Sequence, residues 1–441
     1  MPHAMHAATH AEAHILPLRS KLLAWLEHNP QQVASAAQWH AMLNNLQSVR
    51  KEELERSGIS ELLTLGYEEN ERVPKNELIA GVECELQQCR PIIEAHWKFG
   101  FCPSLGMKTK IDELPKRVEA RARPFVESAQ ICYQHPSMGY WIVRTGYEDL
   151  ATTAPNWIVL DNAGKILRSH EHHGGWFPSV LEALDVMHQT IRQRFHKFGQ
   201  EQPDTAFDVY AFMGGKNYQE WFVCLPDWPL PYRDGHFDLD KLLVHIRTTE
   251  REDCDRQALF MVEEIQSPWH ADGRERGYTT DEDEIGEHNC VADAPYAKEW
   301  HELGIKATIW LAIKQGFTRI GFTTGKQQCE RWGKLEGLMN LYDRQVPKCL
   351  KKIAAQFDCP YGGTSIITRK PIAKVRGSRQ AGWELRDANN KSIAPPVKTK
   401  DVALFYLEMK SPPAKEPIRV LQISPALRQA VLAGEIPLFG W

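Results

Sequence analysis

The sequence predicts an α+β protein whose mixed central sheet is crossed by helices. Apolar residues recur at the helical period over the first 88 residues, short apolar runs flanked by turn residues follow from residue 139, and strands alternate with helices from residue 204. A strand, a crossing helix and a second strand in succession imply at least one parallel pair. At 441 residues the chain is long enough for several domains.

The first 88 residues are predicted to form a helical N-terminal module. Two short amphipathic helices fit residues 15–53, a further helical unit fits Lys51–Ile59, and Pro74 marks another helix start. Residues 89–138 combine charged residues with Pro103, Pro115 and Pro124, which is typical of a linker or an irregular arm.

A small ββα unit is predicted over residues 139–203. Gly139–Val143 and Trp157–Leu160 have the composition of strands, and Phe177–Phe198 has the pattern of a helix. A histidine-rich run, His170–Gly175, lies between the strands and the helix. Its imidazoles offer metal ligands, but a solvated turn before the helix is the preferred interpretation, and no metal site is assigned.

The central α/β domain is predicted over residues 204–384, and residues 385–441 are predicted to be a C-terminal extension that packs on it. The predicted strands are Val209–Phe212, Glu220–Leu225, Leu242–Thr248, Ala258–Ile265, Thr318–Thr323 and, in the extension, Val402–Met409. The predicted helices are Trp300–Gln315, Gly325–Leu338, Leu338–Phe357 and Leu427–Leu432.

Polar residues stand where two of the central strands end. The period of two places His245 and Arg247 on one face of their strand, and Glu264 and Gln266 on the face of the next strand that also carries Val262. Buried polar groups are unfavourable unless they are paired. We therefore expect these four polar side chains to converge on one pocket at an edge of the sheet.

Glycine and arginine residues are closely spaced after the fourth strand. Gly273, Arg274, Arg276 and Gly277 would suit a phosphorylated cofactor, which backbone N–H and guanidinium groups can hold. The alternative is an exposed turn with a charged helical stub, and spacing alone does not decide between the two. The acidic run Asp281–Glu284 lacks the spacing of a calcium loop and is predicted to be solvated.

Composition predicts a soluble, cytoplasmic protein without a membrane partner. The formal charge of -4 gives no overall field that would draw the chain onto phosphate or lipid. The ten cysteines form no CxxC pair, which is typical of reduced thiols. The start of the chain has no signal-peptide pattern, and no uncharged apolar stretch approaches the roughly 20 residues that span a bilayer.

Several motifs follow one another from about Val33 to the C-terminus. They are Gln38-Trp39, Lys51–Glu55, Gly214–Glu220, Gly235–Phe237, His245–Arg247, Glu263–Ser267, Trp269-His270, Asp293–Tyr296, Thr323–Gln328, Leu341–Asp343, Ile423–Arg428 and Pro437–Phe439. In this series the sequence resembles the EEIQSDW-type domain of large polyvalent proteins from phages and conjugative elements. Pro268 departs from that pattern, because the family has aspartate there.

That resemblance implies an accessory protein of a phage or another mobile element. Such a protein acts in the cytoplasm of a bacterial host cell, and its expected partner is a host protein or a small-molecule ligand.

The central segment also resembles GNAT-type N-acetyltransferases at the level of the fold. It has a strand over Ala258–Ile265, a Gly/Arg segment, a helix, a further strand and a late tyrosine in the same order. This resemblance implies acyl-CoA or a nucleotide-like ligand as cofactor, with Tyr342 as general acid. Glu275 stands where the pyrophosphate loop of those enzymes needs a small residue.

These observations allow two functions for the polar residues: a transferase-like enzyme, in which they act on a substrate, and a non-catalytic protein, in which they do not. In a transferase-like enzyme, Glu264 or His270 is the general base and Tyr342 the acid. Its substrate-binding residues are Asn217, Tyr218, His245, Arg247 and Gln266. In a non-catalytic accessory or anti-defence protein that binds a host component, the same residues form a satisfied internal network.

A third function is nucleic-acid binding, which the sequence allows but does not favour. It would use a basic run with Trp383 close by, made of Lys348, Lys351, Lys352, Arg369, Lys370, Lys374, Arg376 and Arg379.

Overall fold

The computed structural model describes most of the chain, with gaps. The described residues are 13–97, 108–109, 116–122, 132–134, 140–148, 155–161, 163–168, 175–180, 182–184, 186–187, 190, 207, 210–235, 237, 239–285, 290–333, 336–378, 381–397 and 400–441. Within these residues, no helix combines the length and the apolar composition that crossing a bilayer requires.

Short helices and strands dominate the N-terminal region. The helices are α1 (Lys21–His28), α2 (Ala36–Asn44), α3 (Lys51–Arg56), α4 (Ile59–Leu65) and α5 (Lys75–Gln87), and the strands are β1 (His14–Ile15), β2 (Leu18–Arg19), β3 (Val33–Ser35) and β4 (Arg72–Pro74). Serines start the first two helices, because the Ser20 hydroxyl accepts from the N–H of Leu23 and Ser35 forms a capping box with Gln38.

A second sheet follows the N-terminal region. Its antiparallel strands are β6 (Lys108–Thr109), β7 (Cys132–Gln134), β8 (Trp141–Glu148) and β9 (Pro155–Leu160). Helix α6 (Lys116–Ala122) lies between β6 and β7 in the chain. Strand β5 (Ile92–Trp97) precedes them and belongs to the central sheet. Ile142 and Val159 pack there against helical residues within 180–190. The unit is therefore larger than the predicted ββα unit, since β6 and β7 come from the segment predicted as a linker. The histidines of the run at 170–173 lie outside the described residues.

The central sheet has eight strands in the order β1-β5-β10-β11-β12-β15-β19-β16. Its remaining strands are β10 (Lys216–Cys224), β11 (Leu242–Glu252), β12 (Ala258–Gln266), β15 (Arg319–Phe322), β16 (Tyr361–Arg369) and β19 (Pro413–Gln422). Strands β12 and β15 are parallel and the other pairs are antiparallel. The prediction of an α+β protein with a mixed central sheet is confirmed.

Smaller elements complete the fold around the central sheet. The helices are α7 (Pro268–Arg276), α8 (Trp300–Lys314), α9 (Gly325–Trp332), α10 (Glu336–Asn340), α11 (Val346–Phe357), α12 (Lys400–Lys410) and α13 (Pro425–Leu432), with a π-helical turn at Leu341–Gln345. The strands are β13 (Tyr278–Thr279), β14 (Val291–Ala292), β17 (Lys374–Ser378), β18 (Gly382–Arg386) and β20 (Ile436–Pro437).

The sheet has two buried faces. On one face Val244 and Ile265 share a core with Leu22 and Trp39 of the N-terminal region and with Leu311 of α8. On the other face the sheet curls, so that Ile366 of β16 bridges Asp253 beyond the end of β11. The N-terminal region and the central sheet therefore fold around one continuous core.

Two predicted strands of the central and C-terminal regions are wrong. Residues 402–409 belong to helix α12, since Val402, Ala403 and Leu407 share its buried side, and a short apolar run fits either period. Residues 210–214 form turns, whereas a strand was predicted over Val209–Phe212. In the segment predicted as a C-terminal extension, Pro413–Gln422 is instead an internal strand of the central sheet.

Candidate functional site

Polar residues lie side by side on one face of three neighbouring strands. Glu220 of β10 is opposite Arg247 of β11, which is opposite Glu264 of β12. His245 lies opposite Gln266 at the next position on this face. We call this set, with Tyr218, the central polar cluster; its members are Tyr218, Glu220, His245, Arg247, Glu264 and Gln266. The structure thus brings together the four residues that the sequence expected to converge.

A β-bulge in β12 determines which residues face the cluster. Arg247 pairs with Glu264 and the next residue, Thr248, pairs with Val262, so that Glu263 is an extra residue in β12. The bulge turns Glu263 and Glu264 to the same side of the sheet.

The bulge also corrects the predicted faces of β12. Phe260 and Val262 enter the main core on the opposite side of the sheet from Glu264 and Gln266. The prediction that Glu264 and Gln266 share a face with Val262 is wrong, because strict alternation does not continue across an inserted residue.

Arg247 and Glu264 form a buried ion pair. The Nε and Nη2 atoms of Arg247 lie 2.9 and 2.7 Å from Glu264 Oε2, and Nη1 donates to the carbonyl of Phe207 at 2.8 Å. Arg247 is 0% exposed and Glu264 4%. Burial alone would lower the pKa of Arg247, but the Glu264 carboxylate raises it above its ordinary value. Arg247 therefore stays charged, and two of its nitrogens contact the Oε2 atom of Glu264.

His245 is enclosed by the cluster and by aromatic rings. Its Nδ1 lies 2.9 Å from the Gln266 amide nitrogen, which donates to it. That contact places the ring proton on Nε2, which lies 4.0 Å from Glu220 Oε2. The ring of Phe222 stacks on the imidazole at 5.1 Å between centroids, and Phe237 lies at 4.4 Å. The geometry thus holds the imidazole between an amide and a carboxylate.

Glu263 is the centre of a second, fully buried set of contacts beside the cluster. Its carboxylate accepts hydrogen bonds from the Thr249 hydroxyl at 2.8 Å, Arg251 Nε at 3.2 Å and Arg331 Nη2 at 2.7 Å. Burial alone would raise the pKa of Glu263, but Arg251 and Arg331 outweigh it and lower the pKa. Glu263 is therefore a charged structural residue that joins strand β11 to helix α9.

Aromatic side chains cover the cluster on its outer side. Tyr210 and Trp332 have ring centroids 4.4 Å apart, and Phe207 lies 6.1 Å from Trp332. The guanidinium carbon of Arg247 is 5.5 Å from the centre of the Trp332 ring system. Arg247 itself therefore takes the position that a cationic ligand would occupy between these rings.

His270 is buried and both of its ring nitrogens have partners. Nε2 donates to the carbonyl of Pro295 at 3.0 Å, and Nδ1 accepts from the Tyr278 hydroxyl at 2.9 Å. Burial lowers the pKa of His270 to about 4. A neutral imidazole with both nitrogens engaged, and 0% exposed, links α7 to the following chain and has no free lone pair for a substrate.

Acid is expected to destabilise the protein partly through His270. The unfolded residue binds a proton near pH 6.5 and the folded one near pH 4, so the unfolded state takes up more protons as the pH falls. The stability that His270 contributes is complete above pH 6.5 and is lost towards pH 4, by on the order of 2 to 3 kcal/mol.

Urea denaturation between pH 7 and pH 4 measures this effect. His270→Gln should be less stable at pH 7 and show a flatter pH dependence than wild type, whereas the exposed control His28→Gln should follow wild type. Equal pH dependence in wild type and His270→Gln would contradict the assignment.

The predicted cofactor turn is instead part of helix α7. Ser267 caps this helix by accepting from the N–H of His270, and Pro268 occupies its first turn. Gly273 is buried within the helix, and a Cβ there would overlap with the Tyr278 ring. The N–H of Gly277 donates to the carbonyl of Gly273. The prediction of an open turn at Gly273–Gly277 is therefore wrong, because this backbone already forms helical hydrogen bonds.

Arg274, Arg276 and Asn217 lie outside the cluster. Arg274 and Arg276 are exposed in the last turn of α7, and Arg276 is 3.5 Å from Asp272 of the same helix. Asn217 is exposed at the start of β10 with a positive φ of 49°. The structure therefore does not bring these three residues to the residues around Arg247.

Tyr342 extends the hydrogen bonding of β12. Its hydroxyl accepts from the N–H of Ile265 at 2.8 Å and donates to the carbonyl of the same residue at 2.9 Å. Burial raises the pKa of Tyr342. The hydroxyl thus bonds the backbone groups of Ile265, which lies beyond the part of β12 that pairs with the short strand β15. Its own proton is donated to the Ile265 carbonyl.

Sequence reasoning missed several residues of this site. Glu220 and Glu263 were noted only as parts of motifs, although Glu220 accepts from the Tyr218 hydroxyl at 2.7 Å. Arg251 and Arg331 were not singled out, because their contacts join distant segments. One signal was present for Glu220, which is a charged residue two positions before Phe222 and directly before the apolar run Trp221–Cys224 of the same strand.

The arrangement is suited to stability and less to chemistry. Within the described parts of the chain, no three His, Cys, Asp or Glu side chains are placed to hold a metal ion. The two glutamates of the cluster are separated by Arg247, which is the ion-pair partner of Glu264. No family model, curated protein or solved structure matches the chain.

Proposed function

We propose that the chain is a non-catalytic accessory protein of a phage or another mobile genetic element, which acts by binding a partner. In this proposal the central sheet is a rigid scaffold, and the central polar cluster fixes the positions of its strands. The mobile-element origin is supported by the motif series around Glu263–Ser267 and by its resemblance to polyvalent phage proteins.

One observation carries the proposal: all three candidates for acid–base catalysis are bonded internally. Glu264 accepts hydrogen bonds from Arg247. His270 donates to the carbonyl of Pro295 and accepts from the Tyr278 hydroxyl. The Tyr342 hydroxyl bonds both the N–H and the carbonyl of Ile265. A general base needs a free lone pair within reach of a substrate proton. Residues that are both buried and bonded in this way instead rigidify a fold.

The helix at Pro268–Arg276 supports the same proposal. A phosphorylated cofactor bound at a turn needs backbone N–H groups that are free to donate. In α7 the glycine that would have allowed close approach is buried against Tyr278. The two arginines of the segment, Arg274 and Arg276, are exposed in the last turn of the helix.

Thermal-shift measurements with acetyl-CoA and ATP test this proposal. A ligand that binds only the native state raises its melting temperature by mass action, by an amount that grows with concentration. We expect neither compound to give a saturable rise up to millimolar concentration. A saturable rise in wild type that Glu264→Gln abolishes would instead establish a cofactor site at the cluster.

A further inference from the structure

A basic β-ribbon projects from the C-terminal half of the fold. Strands β17 and β18 form a separate two-stranded antiparallel sheet. Its inner face packs on α12, where Leu385 is in contact with Ala403 and Leu407 in a small core. Helix α12 thus covers one face of the ribbon and leaves the other face to solvent.

The outer face of the ribbon carries mostly positive charge. Lys374 and Arg376 of β17 are exposed, and among the described residues neither forms an ion pair. On β18, Arg386 lies 2.6 Å from Glu384, which is the carboxylate of this face. Three cations thus share a ribbon face with one anion.

Two of these cations are directly opposite each other. Lys374 and Arg386 are Cα partners in the antiparallel register. Like charges at directly opposite positions destabilise a strand pair. Glu384 compensates Arg386, so Lys374 is the cation of this pair whose charge an external anion would balance.

Charge is also distributed unevenly along the chain. Residues 369–416 contain eleven Lys or Arg against five Asp or Glu, a formal charge of +6, while the whole chain has -4. The remainder of the protein therefore has a charge of -10. Further exposed lysines flank the ribbon at Lys370 and Lys415. The exposed cations of this segment, Lys370, Lys374, Arg376 and Lys415, therefore belong to the most basic part of the chain.

We propose that the outer face of the β17–β18 ribbon binds the phosphate backbone of double-stranded DNA without sequence specificity. The second edge of β18 is itself paired through the Trp383–Val397 and Arg386–Ser392 bridges, so the exposed cations would lie along the phosphates rather than enter a groove and read bases. Single-stranded nucleic acid is bound instead by exposed aromatic platforms. Trp383 is the aromatic residue of the ribbon. Its backbone pairs with that of Val397, and its side chain packs against the small core beneath the ribbon.

The inference rests on the proposed function, because it names the class of partner that the accessory protein binds.

The basic run noted in the sequence is divided in the fold. Lys348, Lys351 and Lys352 are exposed on α11, and Lys352 lies near Lys21 of the N-terminal region. These lysines offer an internal comparison, since they have the same charge in a different place.

Fluorescence anisotropy with a labelled duplex of random sequence tests the proposal on the full chain. Binding should weaken linearly in log–log plots against salt, with a slope of about -3 to -4 for roughly four phosphate contacts. Lys374→Gln/Arg376→Gln should weaken binding by roughly 60-fold at 0.1 M salt and reduce the slope by about 2. The matched variant Lys348→Gln/Lys351→Gln should bind as wild type does.

Stability provides a second, independent measurement. Removing Lys374 relieves the like charge opposite Arg386, and removing Arg376 takes the cation from opposite Glu384, so the two changes offset and the ribbon variant should melt close to the wild-type temperature. No duplex binding by wild type, an equal loss in both variants, or tighter binding to a single strand than to a duplex would overturn the inference. None of these results changes the thermal-shift outcome with acetyl-CoA and ATP, so the proposed function would fail or stand separately.

Discussion

Glu264→Gln is expected to lower the free energy of unfolding by about 3 to 5 kcal/mol. Arg247 is fully buried, and Glu264 is its ion-pair partner among the described residues. The substitution keeps the side-chain volume and removes the negative charge, so the buried guanidinium loses its ion-pair partner and keeps only the more distant carboxylates of the cluster, such as Glu220 opposite it on β10. Urea denaturation at neutral pH measures the loss.

A matched control lies on the neighbouring strand. Glu252 is exposed at the end of β11, and Glu252→Gln makes the same chemical change without burial. It should alter the free energy of unfolding by no more than about 0.5 kcal/mol. If Glu264→Gln were as stable as this control, Glu264 would not be holding the strands together.

Gly273→Val is expected to be destabilising by about 3 kcal/mol or more, which is the upper range for overpacking. Even a Cβ at Gly273 would overlap with the Tyr278 ring, and the hydroxyl of Tyr278 also donates a hydrogen bond to His270. The branched side chain forces apart α7 and the strand that follows it. Chemical denaturation of the free protein detects the change without any ligand.

Gly337→Val provides the comparison for this variant. Gly337 also lies in a helix, and a Cβ there meets nothing within 4 Å. The control should therefore change the free energy of unfolding by less than about 1 kcal/mol. Similar stability of the two variants would mean that Tyr278 moves aside easily and that the close packing at Gly273 does not determine the free energy of unfolding.

The sequence was sufficient to predict the long regular elements. Helix Trp300–Lys314 was predicted from its apolar spacing and strands β11 and β12 from apolar runs, and the parallel pair followed from their order. His245, Arg247 and their partners do converge, but for a different reason: β11 continues to Glu252 and is antiparallel to β12, so its first half, and not its end, pairs with the end of β12.

The remainder depended on interactions that a local pattern does not contain. The bulge at Glu263 moves one residue and so changes the face of every later residue in β12. Helix α7 did have a start signal in Ser267-Pro268, but the glycines beyond it favoured a turn. The pairing of Glu263 with Arg331 joins residues 68 positions apart, which no periodicity reveals.

The proposed scaffold and the proposed binding ribbon lie in different parts of the molecule. The central polar cluster is buried among the strands, whereas Lys374 and Arg376 are exposed on a separate small sheet. Variants of the cluster should therefore act on stability, and variants of the ribbon on affinity. This separation makes the two kinds of residue distinguishable in one set of purified proteins.

The structural role of the cluster is tested most directly by a double-mutant cycle on Arg247 and Glu264. The free energy of unfolding is measured for wild type, Arg247→Met, Glu264→Leu and the double variant. Each single variant leaves one member of the ion pair buried without the other and should be destabilised by about 3 to 5 kcal/mol. The double variant removes both members of the pair, so its loss should be smaller than the sum of the two by at least about 2 kcal/mol. Additive losses, or single variants as stable as wild type, would contradict a structural ion pair and return Glu264 to the candidates for catalysis.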